Sequence, residues 1–364
     1  MDGLFKDIDI LPTQTGQYNI MNTIKPDNRA NNFDFLRLLF ASLVVFSHAF
    51  ALTDTSPEIL SKYSYGQLSF GGLAVDVFFI ISGFLIISSL KQSKSIKNYL
   101  WKRCLRLFPA LFFMLIFSCI VISIVYTGNN IFREKDFYKY FFDNMTLYKV
   151  RYSIPHVFEN NPYPSAINGS LWSLSYEFTM YIILLLAYKF KENKKILLTF
   201  LISAYLLAVY GQFNTAMLKT FFSEIHLDTS QLYRLASLFL AGSILRIIDI
   251  KALNRLSIKL VIFFLIIVTI QFRVYNYFSI ILTPTLIILI GLSYSATLNY
   301  IPSKIGDLSY GIYIYGFLIQ QLFMNYLDLN PYLLTLYSLI VTYILSYISW
   351  HLIEKKCLRF KNRF

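Results

Sequence analysis

Long runs of apolar residues with almost no charge are the feature that most constrains this chain. Several of them exceed the roughly 18 nearly uncharged residues that mark a segment able to cross a bilayer. Of the 364 residues, 56% are hydrophobic and only 15% are charged, whereas soluble domains average about 25% charged residues. The sequence therefore predicts an all-α protein, a polytopic transmembrane helical bundle.

About ten spans can be read along the chain. They cover approximately residues 33–53, 70–90, 107–127, 170–188, 195–213, 231–248, 257–273, 277–296, 305–325 and 332–354. Each is about 17–23 residues long, enough to cross a hydrocarbon core of roughly 30 Å with some tilt. We expect one membrane domain over 33–354, preceded by a polar segment, 1–32, without the apolar region of a signal peptide, and followed by a basic tail, 355–364.

The connectors between the spans carry an uneven distribution of basic residues. With the N-terminus in the cytoplasm, 23 of the 33 lysine and arginine residues fall on the cytoplasmic side and eight fall outside. Lysine and arginine in short loops favour the cytoplasmic side, so both termini are expected there. The net charge of +13 is then explained by topology and by contact with membrane lipid, and no nucleic-acid partner is expected because the basic residues form no patch on a water-exposed domain.

The connector at 128–169 is the longest on the outer side. A connector of about 40 residues is long for a plain linker, so we expect a part-structured external cap; an unstructured loop is the alternative. The three cysteines show no CxxC spacing, and the four histidines are scattered. Neither a complete set of disulfides nor a metal site is predicted from them.

Ionisable residues within the predicted spans are costly in lipid, so each is a functional candidate. Arg37 and His48 are eleven residues apart in the first span, which places both on one helix face about 16 Å apart along its axis. Four groups lie at similar depths towards the outer surface: His48, Asp76, Glu177 and Arg234. We expect them to line one polar chamber in which a carboxylate orients His48 as a general base. Simple charge neutralisation is the alternative.

Basic residues also cluster at the cytoplasmic start of the third span. Arg103 and Arg106 are three apart, so they share one face if this stretch is helical, and Arg37 lies at the same level. Arginine forks match phosphate oxygens. Three arginines around one mouth therefore favour a clamp for a polyphosphate ligand, with positive-inside anchoring and contact with anionic lipid as the alternative.

Six motifs, taken in order, resemble those of the acyltransferase 3 family of integral membrane, acyl-CoA-dependent O-acyltransferases. The resemblance rests on residues 33–37 with His48, 76–85, 103–109, 170–177, 305–313 and 349–355. It covers nearly the whole chain after residue 32. Within these motifs, His48 matches the family's essential histidine, Arg37 its paired basic residue, and Arg103 with Arg106 its cytoplasmic arginine pair.

Two positions depart from the family pattern. Gly316 stands where many members have a second histidine, so no second catalytic imidazole is assumed. Lys356 stands where a proline is usual, which is expected to change only how the tail leaves the membrane.

The resemblance implies an enzyme of the bacterial plasma membrane that moves an acyl group, usually acetyl, from cytoplasmic acyl-CoA to a hydroxyl of a cell-surface glycan. Acetyl-CoA is then a co-substrate, and no permanently bound cofactor is expected. His48, Asp76 and Glu177 are the expected catalytic residues, and Arg37, Arg103 and Arg106 are expected to bind the CoA moiety. Contact with the sugar is expected from Trp172, Ser173, Tyr176 and Arg234.

Several alternatives stay open at this point. His48 can act as a general base or form an acyl-histidine intermediate. The same chamber can also pass or flip a glycan without chemistry, because intramembrane charges suit a transport pathway equally well. The sequence does not determine the acceptor, the acyl group or whether the chain forms homo-oligomers.

Overall fold

A computed structural model describes residues 31–55 and 57–363 of the chain, so most of the predicted polar segment 1–32 lies outside the described residues. The described residues form helices joined by turns, with no β-strand among them. The α-helices, in chain order, are α1 (Phe33–Leu52), α2 (Ile59–Tyr63), α3 (Phe70–Gln92), α4 (Ile96–Val125), α5 (Lys135–Met145), α6 (Trp172–Leu184), α7 (Lys194–Phe213), α8 (Lys219–Glu224), α9 (Thr229–Ile248), α10 (Leu256–Gln271), α11 (Tyr275–Leu292), α12 (Ala296–Ile305), α13 (Ser309–Tyr326), α14 (Pro331–Ser349) and α15 (Lys355–Leu358). Short 3-10 helices span Ile131–Arg133, Leu185–Phe190, Ile250–Leu253 and Arg359–Asn362, and a π-helix spans Trp350–Glu354. The predicted all-α polytopic fold is confirmed.

Seven helices of the described part are long and apolar enough to cross a membrane, judged by length and composition. They are α1, α3, α4, α7, α9, α11 and the helical run Pro331–Lys361, which begins with α14. The other three predicted spans coincide with α6, α10 and α13. Every predicted span thus contains a helix, while the total of ten spans and the side of each terminus stay predictions.

The helix of the third predicted span, α4, begins at Ile96 rather than at residue 107. The Ser95 side chain caps its start by accepting a hydrogen bond from the Asn98 amide, and the helix continues through Pro109. The apolar run revealed only part of this helix, because the basic turns before it continue the same helix beyond that run. Arg103 and Arg106 consequently lie on a helix and not in a connector.

Helices α3 and α9 pack at close range because glycines face the neighbouring backbone. A Cβ added to Gly83 would lie 1.9 Å from the Phe239 carbonyl oxygen, and one added to Gly242 would lie 2.2 Å from that of Ile80. The Ser243 hydroxyl donates to the Gly83 carbonyl oxygen at 3.0 Å. Small residues allow membrane helices to approach closely, so this contact holds α3 and the cavity-lining residues that it carries in place.

We expect Gly83→Ala to lower the free energy of unfolding by about 2–3 kcal/mol, since overpacking costs about 1–3 kcal/mol and the obstructing atoms here are backbone. The melting temperature of the purified protein in detergent measures this effect. Gly72→Ala, in the same helix, is the matched control, because its added Cβ would meet the Ser69 hydroxyl oxygen at 3.1 Å. Equal melting of Gly83→Ala and Gly72→Ala would contradict the close contact.

The segment 128–169, called the cap segment below, contains α5 and is tied to α13. Nδ2 of Asn161 donates to the Gln321 carbonyl oxygen at 2.9 Å. Nδ2 of Asn168 donates to the Ile314 carbonyl oxygen at 2.8 Å, and both partners are buried there. These contacts fix the end of the cap segment just before α6 begins.

Candidate functional site

A cavity of about 560 Å³ opens between α3, α4, α6 and α13. Its lining includes five basic side chains, those of Arg37, Lys102, Arg103, Arg106 and Lys361, and it is called the arginine cavity below. It follows α3 from Gln92 to Val75, a rise of about 25 Å, which approaches the roughly 30 Å thickness of a bilayer core. The three arginines predicted to bind a polyphosphate therefore line one continuous opening.

Asp307 holds two of these arginines together. Its Oδ2 accepts hydrogen bonds from Nη1 of Arg37 at 2.8 Å and from Nη2 of Arg106 at 2.6 Å. Nη1 of Arg106 also lies 3.6 Å from Oε2 of the buried Glu354. The two guanidiniums flank the Asp307 carboxyl group, and nearby positive charge favours its ionised form. Asp307 therefore positions both guanidiniums.

Arg103 differs from the other two arginines because no carboxylate within residues 31–55 and 57–363 forms an ion pair with it. Its Nη2 donates to the Ser89 hydroxyl at 3.2 Å, and its guanidinium carbon lies 5.7 Å from the centroid of the Tyr181 ring. Its Nε is buried without a hydrogen-bond partner. Charged donors form strong hydrogen bonds to anionic oxygens, so Arg103 is the guanidinium best placed to receive an anionic ligand.

Hydroxyl and acidic side chains occur farther along the arginine cavity. The Ser173 hydroxyl lies 2.6 Å from that of Tyr313. A carboxylate oxygen of Glu177 accepts a hydrogen bond from the Tyr181 hydroxyl and lies 3.5 Å from the Ser82 hydroxyl. Two residues predicted for different roles, Glu177 in catalysis and Ser173 in sugar contact, thus share this cavity with the arginines.

His48 lies on α1 beside α13. Its ring meets the ring of Phe317 edge-on, with centroids 5.2 Å apart, and Phe317 follows Tyr313 by one helical turn on the same face of α13. Nδ1 of His48 is buried and has no hydrogen-bond partner. Contrary to the prediction, no carboxylate of the described part forms a hydrogen bond or an ion pair with His48. Asp76 is paired with Arg234, and Glu177 accepts a hydrogen bond from Tyr181.

Asp76 and Arg234 face a second cavity of about 500 Å³, called the Asp76 cavity below. It is lined by the start of α3, the end of α7 and the starts of α9 and α11. Nη1 of Arg234 donates to Asp76, and Nη2 of Arg234 donates to Oε1 of Gln231 at 2.9 Å. Val75 lines the arginine cavity whereas Asp76 lines this one, since successive side chains on a helix point about 100° apart. The single polar chamber predicted at this depth is therefore not formed: Glu177 lines the arginine cavity, Asp76 and Arg234 line this one, and His48 lines neither of them.

Trp172 and Tyr176 line a third cavity of about 350 Å³ between α6 and the cap segment. Residues 148–150 of the cap segment form part of its other side. The two aromatic residues predicted to contact sugar therefore lie together. Ser173 and Arg234, predicted for the same role, each face a different opening.

Asp307 and Glu354 are the residues of this site that sequence reasoning did not assign. Both lie in or beside the motifs 305–313 and 349–355 that carry the family resemblance, and Glu354 ends a π-helix, a feature that often marks functional sites. Several partly buried cations require counter-charges. Both acids lie at the ends of predicted spans, at the level of the arginines, and this position in the sequence was the signal that could have identified them.

Comparison with known proteins shows which family and relatives this chain is similar to. The model of an acyltransferase domain matches residues 31–351. An O-acetyl transferase of Shigella phage Sf6 is 31% identical over 350 residues, which cover 91% of this chain and 97% of the relative. Nodulation protein 10 of Rhizobium leguminosarum bv. viciae is 33% identical over 161 residues, which cover 42% of this chain and 43% of that protein. No solved structure matches the chain.

Proposed function

Since the chain belongs to the acyltransferase 3 family and is a membrane acyltransferase, we propose that it moves an acetyl group from acetyl-CoA to a hydroxyl of a cell-surface glycan. In this proposal the enzyme lies in a bacterial plasma membrane, with the arginine cavity open to the cytoplasm and the cap segment outside, as the distribution of basic residues favours. The observation that carries the proposal is the arginine cavity, which joins a mouth of five cations to hydroxyl and carboxylate groups deeper in the bundle.

The shape and charge of the arginine cavity suit the CoA moiety. CoA has phosphates at one end and a thioester at the end of a long flexible arm, so its site needs cations at the mouth and a narrow path inward. Arg103 has a donor without a partner and is proposed to take a phosphate. The arm then follows α3 past Ser89 and Ser82 towards Ser173 and Tyr313, all of which line the cavity.

The proposed chemical step uses His48 as a general base. His48 removes the proton of the acceptor hydroxyl while the hydroxyl oxygen attacks the thioester carbonyl carbon. The new carbon–oxygen bond forms, the carbon–sulfur bond breaks, and the proton passes from the imidazolium to the CoA thiolate. Phe317 lies against His48 one turn beyond Tyr313, so we expect its ring to turn aside when the acetyl group enters.

The acceptor is proposed to enter at the third cavity. Aromatic rings stack on the C–H faces of sugars, and the Trp172 and Tyr176 rings lie 5.5 Å apart there. The cap segment closes the other side of this cavity. A glycan hydroxyl would then approach α6 from a different side than the arginine cavity, since Ser173 faces one opening and Trp172 the other.

Release of free CoA thiol from acetyl-CoA by the purified protein tests the proposed function. We expect thiol release to rise when the surface polysaccharide of the bacterium that carries the gene is added, after base treatment has removed its O-acetyl groups. A protein that only passes or flips a glycan releases no CoA, so the absence of thiol under all conditions would favour the transport alternative. Mass spectrometry of surface glycans with and without the gene locates the acetyl group.

We expect Arg103→Gln to raise the KM for acetyl-CoA roughly tenfold or more, because hydrogen bonds to charged groups contribute about 1.5–3 kcal/mol. Steady-state thiol release at varied acetyl-CoA concentration measures this change. Lys97→Gln is the matched control, since Lys97 is an exposed cation on the same helix that does not line the cavity. An unchanged KM in Arg103→Gln would remove Arg103 from the donor site.

A further inference from the structure

The Asp76 cavity takes no part in the reaction as proposed above. Its lining is rich in amide and hydroxyl side chains, and its volume of about 500 Å³ falls within the roughly 300–1,000 Å³ typical of small-molecule sites. Asp76 and Arg234 are its charged lining residues, and they pair with each other. A ligand of this cavity is therefore expected to be uncharged and able to both donate and accept hydrogen bonds.

Two aromatic rings lie at the rim of the Asp76 cavity. Phe213, the last residue of α7, and Tyr277, in the first turn of α11, are stacked with centroids 5.7 Å apart and an angle of 6° between their planes. Both side chains line the cavity, and they are 61% and 59% exposed. A flat, exposed aromatic surface beside polar groups matches a sugar ring, which has an apolar face and a polar edge.

A polar atom of the lining also lacks a partner. Oε1 of Gln212 is buried without a hydrogen bond among the described residues, and Gln212 precedes the stacked Phe213. The side-chain amide of Gln231, which also lines the cavity, is by contrast already bound to Arg234 through its oxygen. Leaving a buried acceptor without a hydrogen bond costs about 1–3 kcal/mol of free energy. A ligand hydroxyl that donates a hydrogen bond to Oε1 of Gln212 would recover this cost.

The Asp76 cavity and the third cavity lie on two sides of the start of α9. The Tyr176 hydroxyl, in the third cavity, accepts a hydrogen bond from the Asp228 amide at 2.9 Å. The Asp228 side chain caps α9 by accepting a hydrogen bond from the backbone N–H of Gln231, also at 2.9 Å. Gln231 in turn lines the Asp76 cavity. The first turn of α9 therefore separates the two openings, which places them close enough to propose that successive units of one glycan chain occupy both.

We propose that the Asp76 cavity is a second acceptor subsite, which binds an uncharged sugar unit of an extended glycan whose reacting unit lies in the third cavity. This inference rests on the proposed function and names the class of acceptor: a polysaccharide rather than a small glycoside. Phe213 and Tyr277 stack against the sugar, and Gln212 accepts a hydrogen bond from one of its hydroxyls. The subsite adds binding energy for long acceptors without touching the reacting atoms.

The test compares acetyl transfer by wild-type protein, Gln212→Ala and the double variant Phe213→Ala/Tyr277→Ala in lipid nanodiscs. The acceptor probe is the base-treated surface polysaccharide of the bacterium that carries the gene. It is used both as the intact polymer and as its single repeating unit. For the intact polysaccharide we expect the KM to rise roughly fivefold in each variant, because one aromatic or hydrogen-bonding contact contributes about 1 kcal/mol. The kcat and the KM for acetyl-CoA stay unchanged, since the lost binding is equal in ground and transition states.

Phe272→Ala is the control, because Phe272 is a 74% exposed aromatic residue that lies between α10 and α11, just before Tyr277, but does not line the cavity. The single repeating unit is a second control, since an acceptor too short to reach the subsite should show the same KM in all four proteins. A KM for the polysaccharide that stays at the wild-type value in both variants overturns the subsite while leaving the proposed function intact. Transfer by the wild type to neither acceptor overturns the proposed acceptor class and the subsite together.

Discussion

His48→Ala is expected to lower acetyl transfer by roughly 10²–10⁴-fold, the usual contribution of a general base. The imidazole is the only basic group that the proposal places at the acceptor hydroxyl, and its Nδ1 has no hydrogen-bond partner that would compete with a substrate. Thiol release with and without polysaccharide measures the loss. The KM for acetyl-CoA should change little, because the arginines proposed to bind the CoA moiety remain.

His156→Ala is the control for this substitution, since His156 lies in the cap segment with an exposed side chain and pairs with Glu159. We expect it to retain wild-type activity. Transfer that persists at the wild-type rate in His48→Ala would defeat both the general-base and the acyl-histidine mechanisms. Acid quenching followed by mass spectrometry separates those two, because only the second leaves an acetyl group on His48.

Asp307→Asn is expected to affect both the donor site and stability. Losing the shared charge leaves the guanidiniums of Arg37 and Arg106 side by side without the carboxylate that now bonds to both. Breaking such a partly buried pair costs about 3 kcal/mol. We expect kcat/KM for acetyl-CoA to fall roughly 100-fold, because the two guanidiniums proposed to bind CoA lose the carboxylate that positions them, and misplacement of positioning groups costs about that much. Melting temperature and thiol release measure the two effects, and Asp307→Glu should recover part of each.

Asp249→Asn provides the matched control, because Asp249 is an exposed acid at the end of α9 with a left-handed backbone that asparagine also tolerates. It should melt and react as the wild type does. If Asp307→Asn behaves like this control, the ion pairs at Asp307 contribute neither to stability nor to the donor site.

The helices and the grouping of the arginines could be predicted from the sequence because both depend on distances along the chain. Apolar runs mark helices wherever a bilayer is crossed, and Arg103 and Arg106 share a face through helical spacing alone. Charge distribution then placed Arg37 at the same level. Each of these inferences needed no knowledge of how the helices pack.

The division of the predicted chamber could not be foreseen for the opposite reason. Position along a helix gives the depth of Asp76 and Glu177, but the direction in which each side chain points depends on how its helix is turned relative to its neighbours. Asp76 turns towards Arg234 on α9, and Glu177 turns towards Tyr181 and the arginine cavity. Asp307 was missed similarly, because its partner Arg37 lies 270 positions away.

The paired charges around Asp307 bear on how quickly the enzyme can turn over. Two guanidiniums, Arg37 and Arg106, face two acidic side chains, Asp307 and Glu354, so part of the positive charge of the mouth is already balanced within the protein. An incoming phosphate gains less there than it would from bare cations, since the carboxylates already occupy the donors. If CoA is the donor, as proposed, the spent CoA leaves without a large electrostatic penalty, and its exchange for acetyl-CoA is favoured over retention.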